Sequence, residues 1–166
     1  FLYQPDGVGT FTVKAQYNED ADETRTWQVV VTNRPIIPED LTPSGLPDGE
    51  EGFDNVENFA IGNTNAQIKF TEEVDLTKID LRDYILVGPG FVSVNTADDD
   101  NRLNKKARIT VKNVPQGETV VYKYDAFGNP SELNNRVVCG REEGCRGFSH
   151  LGTDFVFEVD SFSTYP

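Results

Sequence analysis

The chain has 166 residues, a formal net charge of −13 at pH 7 and no Met. The negative charge argues against nucleic-acid binding, which needs basic patches, and no apolar run is long enough to span a membrane. Aromatic and β-branched residues are frequent, and Gly and Pro are spread along the chain, which predicts an all-β protein. The missing Met is typical of a processed product or a fragment.

Residues 1–34 predict an incomplete sheet. After a short candidate strand at Phe1–Gln4, two stretches, 9–17 and 26–32, alternate apolar and polar residues with the period of a half-buried strand. Trp27 falls on the apolar face of the last strand, which predicts a core position. Because so small a sheet is marginal alone, it must pack on the second domain or borrow strands from another chain.

The segment PDGVGTFTVKAQYNEDADETRTWQVVVTNRP resembles the closing strands of bacterial and archaeal Ig-like or PKD-like surface domains. In those families a P-x-G-x-(Y/F)-x-V strand leads through a polar hairpin to W-x-V-x-V. The resemblance implies that residues 1–34 form a partial Ig-like domain that consists of closing strands.

Residues 35–56 predict a semi-rigid linker, because four of the nine Pro residues fall between Pro35 and Pro47. The linker is acidic and holds no basic residue. Since Ca²⁺ needs several oxygen ligands, the carboxylates of Asp48, Glu50 and Asp54 are candidate ligands. A solvated acidic spacer is the alternative.

Residues 57–166 predict a second domain with about seven or eight strands, the number that a β-sandwich requires. The candidate strands are 57–61, 66–70, 84–87, 91–95, 107–112, 120–125, 136–139 and 155–159. Gly88-Pro89-Gly90 predicts a turn, Ala107–Asn129 predicts a hairpin around a Pro-Gln-Gly turn, and Leu76–Tyr84 predicts a short helix.

The segment NAQIKFTEEVDLTKIDLRDYILVG is similar to bacterial Ig-like domains of S-layer type. Their apolar strand ends F-(S/T)-E-x-V/M-D and is followed by N/D-Y-x-L, and a later G-x-x-Y-x-V…D-x-x-G-N pattern corresponds to residues 117–129. The resemblance implies an Ig-like β-sandwich over residues 57–166. The stretch from Cys139 to Pro166 departs from the pattern, and we expect an insertion there before the last strand.

A second candidate Ca²⁺ site is the loop that holds Asp98, Asp99 and Asp100. Adjacent carboxylates repel one another unless they are solvated or bridged by a cation, and exposed β-loops can gather oxygen ligands. A solvated loop tip is the alternative.

Cys139 and Cys145 lie in CGREEGC, whose two Gly residues make the loop flexible enough to close a small ring. In an exported protein this pair predicts a disulfide. A redox-active pair is less favoured because the Cys-x-x-Cys spacing is missing. A zinc site would need two further ligands, and His150 is the only histidine.

The sequence shows no catalytic arrangement. None of the six Ser residues lies in a G-x-S-x-G context, and His150 stands alone. Adjacent carboxylates carry little information in so acidic a chain. We therefore expect that the protein is not an enzyme.

Together these features predict a non-catalytic extracellular module of a cell-surface protein, such as an S-layer, an adhesin or a filament subunit. It would assemble by strand pairing or domain packing with itself or with neighbouring domains, with Ca²⁺ as a candidate stabilising ion. The alternative is a carbohydrate-binding or accessory module of a secreted enzyme. The aromatic residues available for a glycan are Tyr17, Trp27, Tyr122 and Tyr124.

Overall fold

A computed structural model describes residues 8–16, 24–97, 102–117, 119–162 and 164–165. The strands are β1 (Gly9–Gln16), β2 (Thr24–Val31), β3 (Thr42–Ser44), β4 (Ala60–Gly62), β5 (Ala66–Phe70), β6 (Ile85–Gly88), β7 (Phe91–Val94), β8 (Ala107–Val111), β9 (Tyr122–Lys123), β10 (Val137–Val138), β11 (Cys145–Leu151), β12 (Asp154–Val159) and β13 (Thr164–Tyr165). The predicted all-β fold is confirmed. Among the described residues, no helix has the length and apolar character needed to cross a membrane.

Strands β1 and β2 form an antiparallel hairpin that is a two-stranded sheet of its own. The side chain of Trp27 is 50% exposed, so the predicted core position of this residue is wrong. A two-stranded ribbon has no second layer to bury an aromatic ring. The candidate strand at Phe1–Gln4 lies outside the described residues.

The main sheet has six strands in the order β11-β12-β8-β5-β4-β3, and a smaller sheet has the order β13-β7-β6. In β5 the burial alternates, with Ala66, Ile68 and Phe70 buried and the residues between them exposed. Such alternation is typical of a sheet that covers a core with one face. The core-facing positions of β8 and β12 stand in register beside those of β5 and extend the same apolar layer.

Residues 35–56 belong to the fold, in contrast to the spacer expected there. Strand β3 pairs with β4 at the edge of the main sheet. Leu41, Phe53 and Val56 are buried in the core. The prolines and carboxylates of this stretch dominate its composition, but three well-spaced apolar side chains supply enough burial to fix it to the sheet.

The predicted hairpin over Ala107–Asn129 does not form. Strand β8 lies in the middle of the main sheet, between β5 and β12, and its register pairs Ile109 with Ile68 on one side and Phe157 on the other. The second predicted strand is reduced to β9, which pairs with β10. Local alternation identified β8 as a strand, but its partners are distant in sequence.

One predicted local feature forms as expected, and another takes a different shape. Strands β6 and β7 pair around the predicted Gly88-Pro89-Gly90 turn. In place of the short helix expected over Leu76–Tyr84, a single 3-10 turn spans Leu81–Asp83, and the Asp80 side chain accepts a hydrogen bond from the Arg82 N–H at its start. A second 3-10 turn spans Pro130–Glu132.

Three connections join the main sheet to the smaller sheet. Residues 71–84 lead from β5 to β6, and residues 95–106 lead from β7 to β8. The last connection, from β12 to β13, consists of residues 160–163 alone, and we call it the inter-sheet crossover. It is the shortest of the three connections.

Candidate active site

The inter-sheet crossover is fixed at both ends by strand pairing. On its amino side Val159 pairs with Ala107 in the main sheet. On its carboxyl side Thr164 pairs with Ser93 in the smaller sheet. Ser93 is fully buried, and its hydroxyl accepts a hydrogen bond from the Gly128 N–H at 3.1 Å. The ends of the crossover therefore belong to two different, well-packed layers.

Inside the crossover, Phe162 is anchored in two ways. Its ring is buried in the core with its centroid 5.5 Å from that of Phe70. Its backbone N–H donates to Asn104 Oδ1 at 3.0 Å. The ring anchor is hydrophobic and the N–H anchor is polar, so together they fix both the position and the orientation of this residue.

Asn104 lies in a stretch, residues 102–106, that is bound tightly to the chain leaving β5. Arg102 donates to the Asp75 carbonyl and carboxylate, each at 3.1 Å, and to the Thr77 carbonyl. The Lys106 N–H donates to Glu72 Oε2 at 3.2 Å. We call residues 102–106 the Asn104 support, because they hold that side chain against the crossover.

The carboxylates that hold the support are stabilised in their charged form. Partial burial raises the pKa of Asp75, but hydrogen bonds from Thr77 and Arg102 outweigh it and hold that pKa below its ordinary value. The hydrogen bond from the Lys106 N–H lowers the pKa of Glu72. The contacts of these two carboxylates with the Asn104 support are therefore kept at neutral pH and weakened in acid.

The first residue of the crossover is also held. The Asp160 N–H donates to the Gly144 carbonyl at 2.9 Å, and Arg146 Nη1 donates to Asp160 Oδ1 at 2.6 Å. Arg146 also forms an ion pair with Glu158. The hydrogen bond to Asp160 is the main reason why the pKa of Arg146 is raised. The crossover is thus tied to β11 at its start and to the Asn104 support two residues later.

The only histidine contacts a hydroxyl, at a different place. His150 Nε2 lies 3.2 Å from Thr119 Oγ1, and His150 Nδ1 is buried with no hydrogen-bond partner among the residues that the structure describes. A buried N–H without an acceptor is rarer than a buried lone pair without a donor. We therefore place the imidazole proton on Nε2, where it donates to Thr119. In that tautomer the imidazole does not withdraw a proton from the hydroxyl.

Ser149 is next to this histidine in sequence but not in space. Ser149 pairs with Val156 and His150 with Phe155, so the two side chains point to opposite faces of the sheet. The strand has a β-bulge between Arg146 and Ser149, with Gly147 at φ +69°. The adjacent Ser and His therefore do not form a nucleophile–base pair.

Cys139 and Cys145 form a disulfide with a Cα–Cα distance of 5.7 Å. Both residues are buried in the core. Neither sulfur is a free thiol. No thiolate is therefore available as a nucleophile.

Glu50, one of the candidate Ca²⁺ ligands in residues 35–56, is paired with other side chains. The Glu50 carboxylate accepts hydrogen bonds from Thr32 Oγ1 and from Arg34 Nε at 2.8 Å. The first of these bonds is the main reason why the pKa of Glu50 is lowered. The Asp48 carbonyl accepts from the same guanidinium at 3.0 Å, and the Asp54 side chain is exposed.

In the part of the chain that the structure describes, no three His, Cys, Asp or Glu side chains gather into a group that could hold a metal ion. Asp98, Asp99 and Asp100 lie outside that part. Calcium binding there stays a prediction. Its test is titration of the chain with Ca²⁺ against a variant in which all three carboxylates are amides, and equal heats from the two proteins would contradict it.

Three of the aromatic residues considered for glycan stacking, Trp27, Tyr122 and Tyr124, lie in the part of the chain that the structure describes. Tyr124 is buried, and the guanidinium of Arg136 lies 4.5 Å from the ring centroid of Tyr122. Trp27 is on the separate hairpin, and Tyr17 lies outside the described residues. The described aromatic residues therefore supply no common platform.

Sequence reasoning overlooked the inter-sheet crossover. Phe162 follows the alternating strand that ends at Val159, so period-two alternation gave it no role. One signal was available, because Ser161, Ser163 and Thr164 place three hydroxyls around a single aromatic residue. Asn104 has no local signal at all, since its partner Phe162 is 58 positions away.

Comparison with known proteins gives one family. The sequence model of the family described as "Nucleoporin2: Nup98-96 autopeptidase S59" matches residues 48–166. The matched range includes both sheets from β4 onward and the whole inter-sheet crossover. A search of curated proteins found no matching relative.

This match overturns several expectations from the sequence. The assignment to bacterial or archaeal Ig-like surface domains is wrong, because the matching family is a nucleoporin autopeptidase family. The non-enzymatic role, the S-layer, adhesin or filament function and its carbohydrate-binding alternative are wrong for the same reason. So are the extracellular location and assembly with surface proteins. Alternating strands occur in many β folds, and alternation alone does not separate one family from another.

Proposed function

Because the chain belongs to the Nup98-96 autopeptidase S59 family, we propose that it cleaves its own backbone between Phe162 and Ser163. The observation that carries this assignment is the double anchoring of Phe162, by its buried ring and by the bond from its N–H to Asn104. Ser163 follows Phe162 directly in the sequence and lies outside the described residues.

The reaction needs one hydroxyl and one water. The Ser163 hydroxyl oxygen attacks the Phe162 carbonyl carbon, and the C–N bond of the peptide breaks as an ester bond forms. The hydroxyl proton ends on the released nitrogen, which becomes the amino group of Ser163. Water then hydrolyses the ester to a Phe162 carboxylate and a free Ser163 hydroxyl, so the products are residues 1–162 and the chain from Ser163 onward.

Restricting the reacting segment is the main contribution of the fold. Strand pairing fixes β12 before the crossover and β13 after it, and Phe162 is anchored between them. Holding a nucleophile and a carbonyl in one geometry removes much of the entropy cost of their encounter. Both Cys residues are in the disulfide, so no free thiol competes with the hydroxyl for the attack on the carbonyl.

We assign the proton transfers to solvent. The only imidazole contacts Thr119 and lies at the end of β11 that pairs with Phe155, whereas the crossover follows Val159 at the other end of β12. An imidazole base typically contributes a factor of about 10²–10⁴. We therefore expect cleavage to be slower than an imidazole-assisted reaction by a factor of about 10²–10⁴. Its product should be detectable after long incubation.

The test is the intact mass of the full chain, followed after purification with and without hydroxylamine, which attacks esters. We expect a product that ends at Phe162, faster release in hydroxylamine, and no product from Ser163→Ala. Ser163→Cys should cleave, because a thiol also performs the attack. Ser161→Ala removes a hydroxyl within the crossover and Ser149→Ala removes one on β11, and both controls should cleave normally.

Two results would contradict the proposal in different ways. A new amino terminus at Thr119 or Ser149 would keep self-cleavage and overturn the assigned bond. A wild-type chain that stays intact during long incubation with hydroxylamine would overturn self-cleavage itself.

The family description also names a nucleoporin, and we infer from it a place of action at the nuclear pore with another pore component as partner. The test is fractionation of cells that express the tagged full chain from its own locus. We expect it in the nuclear-envelope fraction with pore proteins, and its absence from that fraction would contradict this location without bearing on cleavage.

A further inference from the structure

Resting on the proposed self-cleavage, we propose that Asn104 is a positioning residue that orients Phe162 for the reaction. The contact is a single hydrogen bond, from the Phe162 N–H to Asn104 Oδ1 at 3.0 Å. A backbone N–H can only donate, so the oxygen end of the Asn104 amide must face the crossover. The bond joins a loop that precedes β8 to the segment that follows β12.

The Asn104 support makes this bond rigid. Leu103 is fully buried, and the Lys105 N–H donates to its carbonyl at 2.9 Å. Arg102 binds the backbone and side chain of Asp75, as described above. A side chain whose own backbone is held on both sides positions its partner more precisely than one on a free loop.

The two anchors on Phe162 restrict its backbone and its side chain. The ring is fixed against Phe70 and the N–H is fixed by Asn104, so the rotation about the N–Cα bond and the side-chain direction are both set. Rotation about the Cα–C bond turns the Phe162 carbonyl toward the next residue. Removing the Asn104 oxygen would release the Phe162 N–H and widen the range of orientations open to the carbonyl.

A purely structural role for Asn104 makes a different prediction. In that role Asn104 would only supply an acceptor for the Phe162 N–H. Loss of the acceptor would lower stability without changing the cleavage rate of folded molecules. Positioning, in contrast, changes the rate at temperatures where every variant is fully folded. The two roles are therefore separable by measuring the rate and the melting temperature of the same variants.

The experiment compares Asn104→Ala, Asn104→Leu and Asn104→Asp in the full chain. We expect the first two to cleave about 10-fold to 100-fold more slowly than the wild type, the usual cost of a misplaced reacting group. Asn104→Asp keeps an oxygen acceptor and should cleave within about threefold of the wild type. Hydroxylamine should not restore Asn104→Ala, because the defect precedes the ester.

Asn129→Ala is the matched control. It removes an Asn whose Oδ1 also accepts a backbone N–H, from Ser131 at 3.0 Å, but outside the crossover. This control should cleave at the wild-type rate.

A second readout does not depend on cleavage. In the Ser163→Ala background, Asn104→Ala should raise the hydrogen-exchange rate of the Phe162 amide, while Asn129→Ala should leave it unchanged. A wild-type cleavage rate in Asn104→Ala, or unchanged exchange at Phe162, would overturn the role of Asn104 while self-cleavage stands. An uncleaved wild type would overturn the proposed function and this role together.

Discussion

The rings of Phe162 and Phe70 lie with their centroids 5.5 Å apart, so the last part of the chain is anchored on a strand near the middle of the main sheet. Phe70 also stacks on Phe59 at 5.7 Å, which extends the contact into a row of three rings. The ring of Phe162 is therefore part of the core. This relationship makes the ring of Phe162 important for stability as well as for the proposed reaction.

We expect Phe162→Ala to lower the free energy of unfolding by about 3 kcal/mol, because it removes a buried ring and leaves a cavity. Urea denaturation in the Ser163→Ala background measures this loss without cleavage. Phe148→Ala is the matched control, since Phe148 also contacts two Phe rings but is 44% exposed. Equal losses in the two variants would contradict the assigned burial of Phe162.

Sequence patterns predicted the strands that alternate locally. Strand β5 alternates buried and exposed residues as expected, and β6 and β7 pair around Gly88-Pro89-Gly90. These features depend on side chains that are close in sequence, and for them the period of two is enough.

The patterns failed where the outcome depends on distant partners. Strand β8 was expected to pair with the residues around Tyr122, but Ile109 finds larger apolar faces on β5 and β12. Strand β11 lies in the stretch where an insertion was expected, and the bulge between Arg146 and Ser149 interrupts its alternation. The candidate site was missed because Asn104 and Phe162 meet only after both sheets have formed.

We expect loss of the Cys139–Cys145 disulfide to lower the free energy of unfolding by about 2 kcal/mol, the value for closing so short a loop in the unfolded chain. The measurement is urea denaturation of the wild type with and without reductant, with thiol titration to show complete reduction. The Cys139→Ala, Cys145→Ala double variant has no disulfide to reduce. Its urea midpoint should therefore be the same with and without reductant. An unchanged midpoint for the fully reduced wild type would contradict the prediction.

The Asp75–Arg102 contact predicts a loss of stability in acid. The folded pKa of Asp75 is below its unfolded value, so its contribution is present above about pH 4 and is lost as the pH falls through the folded pKa. Asp75→Asn should therefore flatten the decrease of melting temperature below about pH 4. Asp54→Asn removes an exposed carboxylate and serves as the control. Identical pH profiles for wild type and Asp75→Asn would show that this carboxylate does not hold the Asn104 support.

The close approach at Gly62 predicts a strong effect of one added methyl group. A Cβ at this position would lie 2.3 Å from the Ala66 carbonyl oxygen and 2.6 Å from the Gln67 Cα, both backbone atoms of the facing strand. The β4–β5 turn cannot widen easily, because Asn63 Oδ1 accepts the Asn65 N–H at 2.9 Å. We expect Gly62→Ala to cost about 2–3 kcal/mol, as overpacking typically does.

The matched control is Gly49→Ala, where the nearest atom to an added Cβ is 3.9 Å away and the backbone is exposed. Urea denaturation of both variants in the Ser163→Ala background compares the two sites directly. The control should unfold within about 0.5 kcal/mol of the parent, as surface substitutions usually do. If Gly62→Ala and Gly49→Ala lost the same free energy of unfolding, the β4–β5 pairing would be looser than its register indicates. The pairing of β3 with β4 at the edge of the main sheet would then need to be reconsidered too.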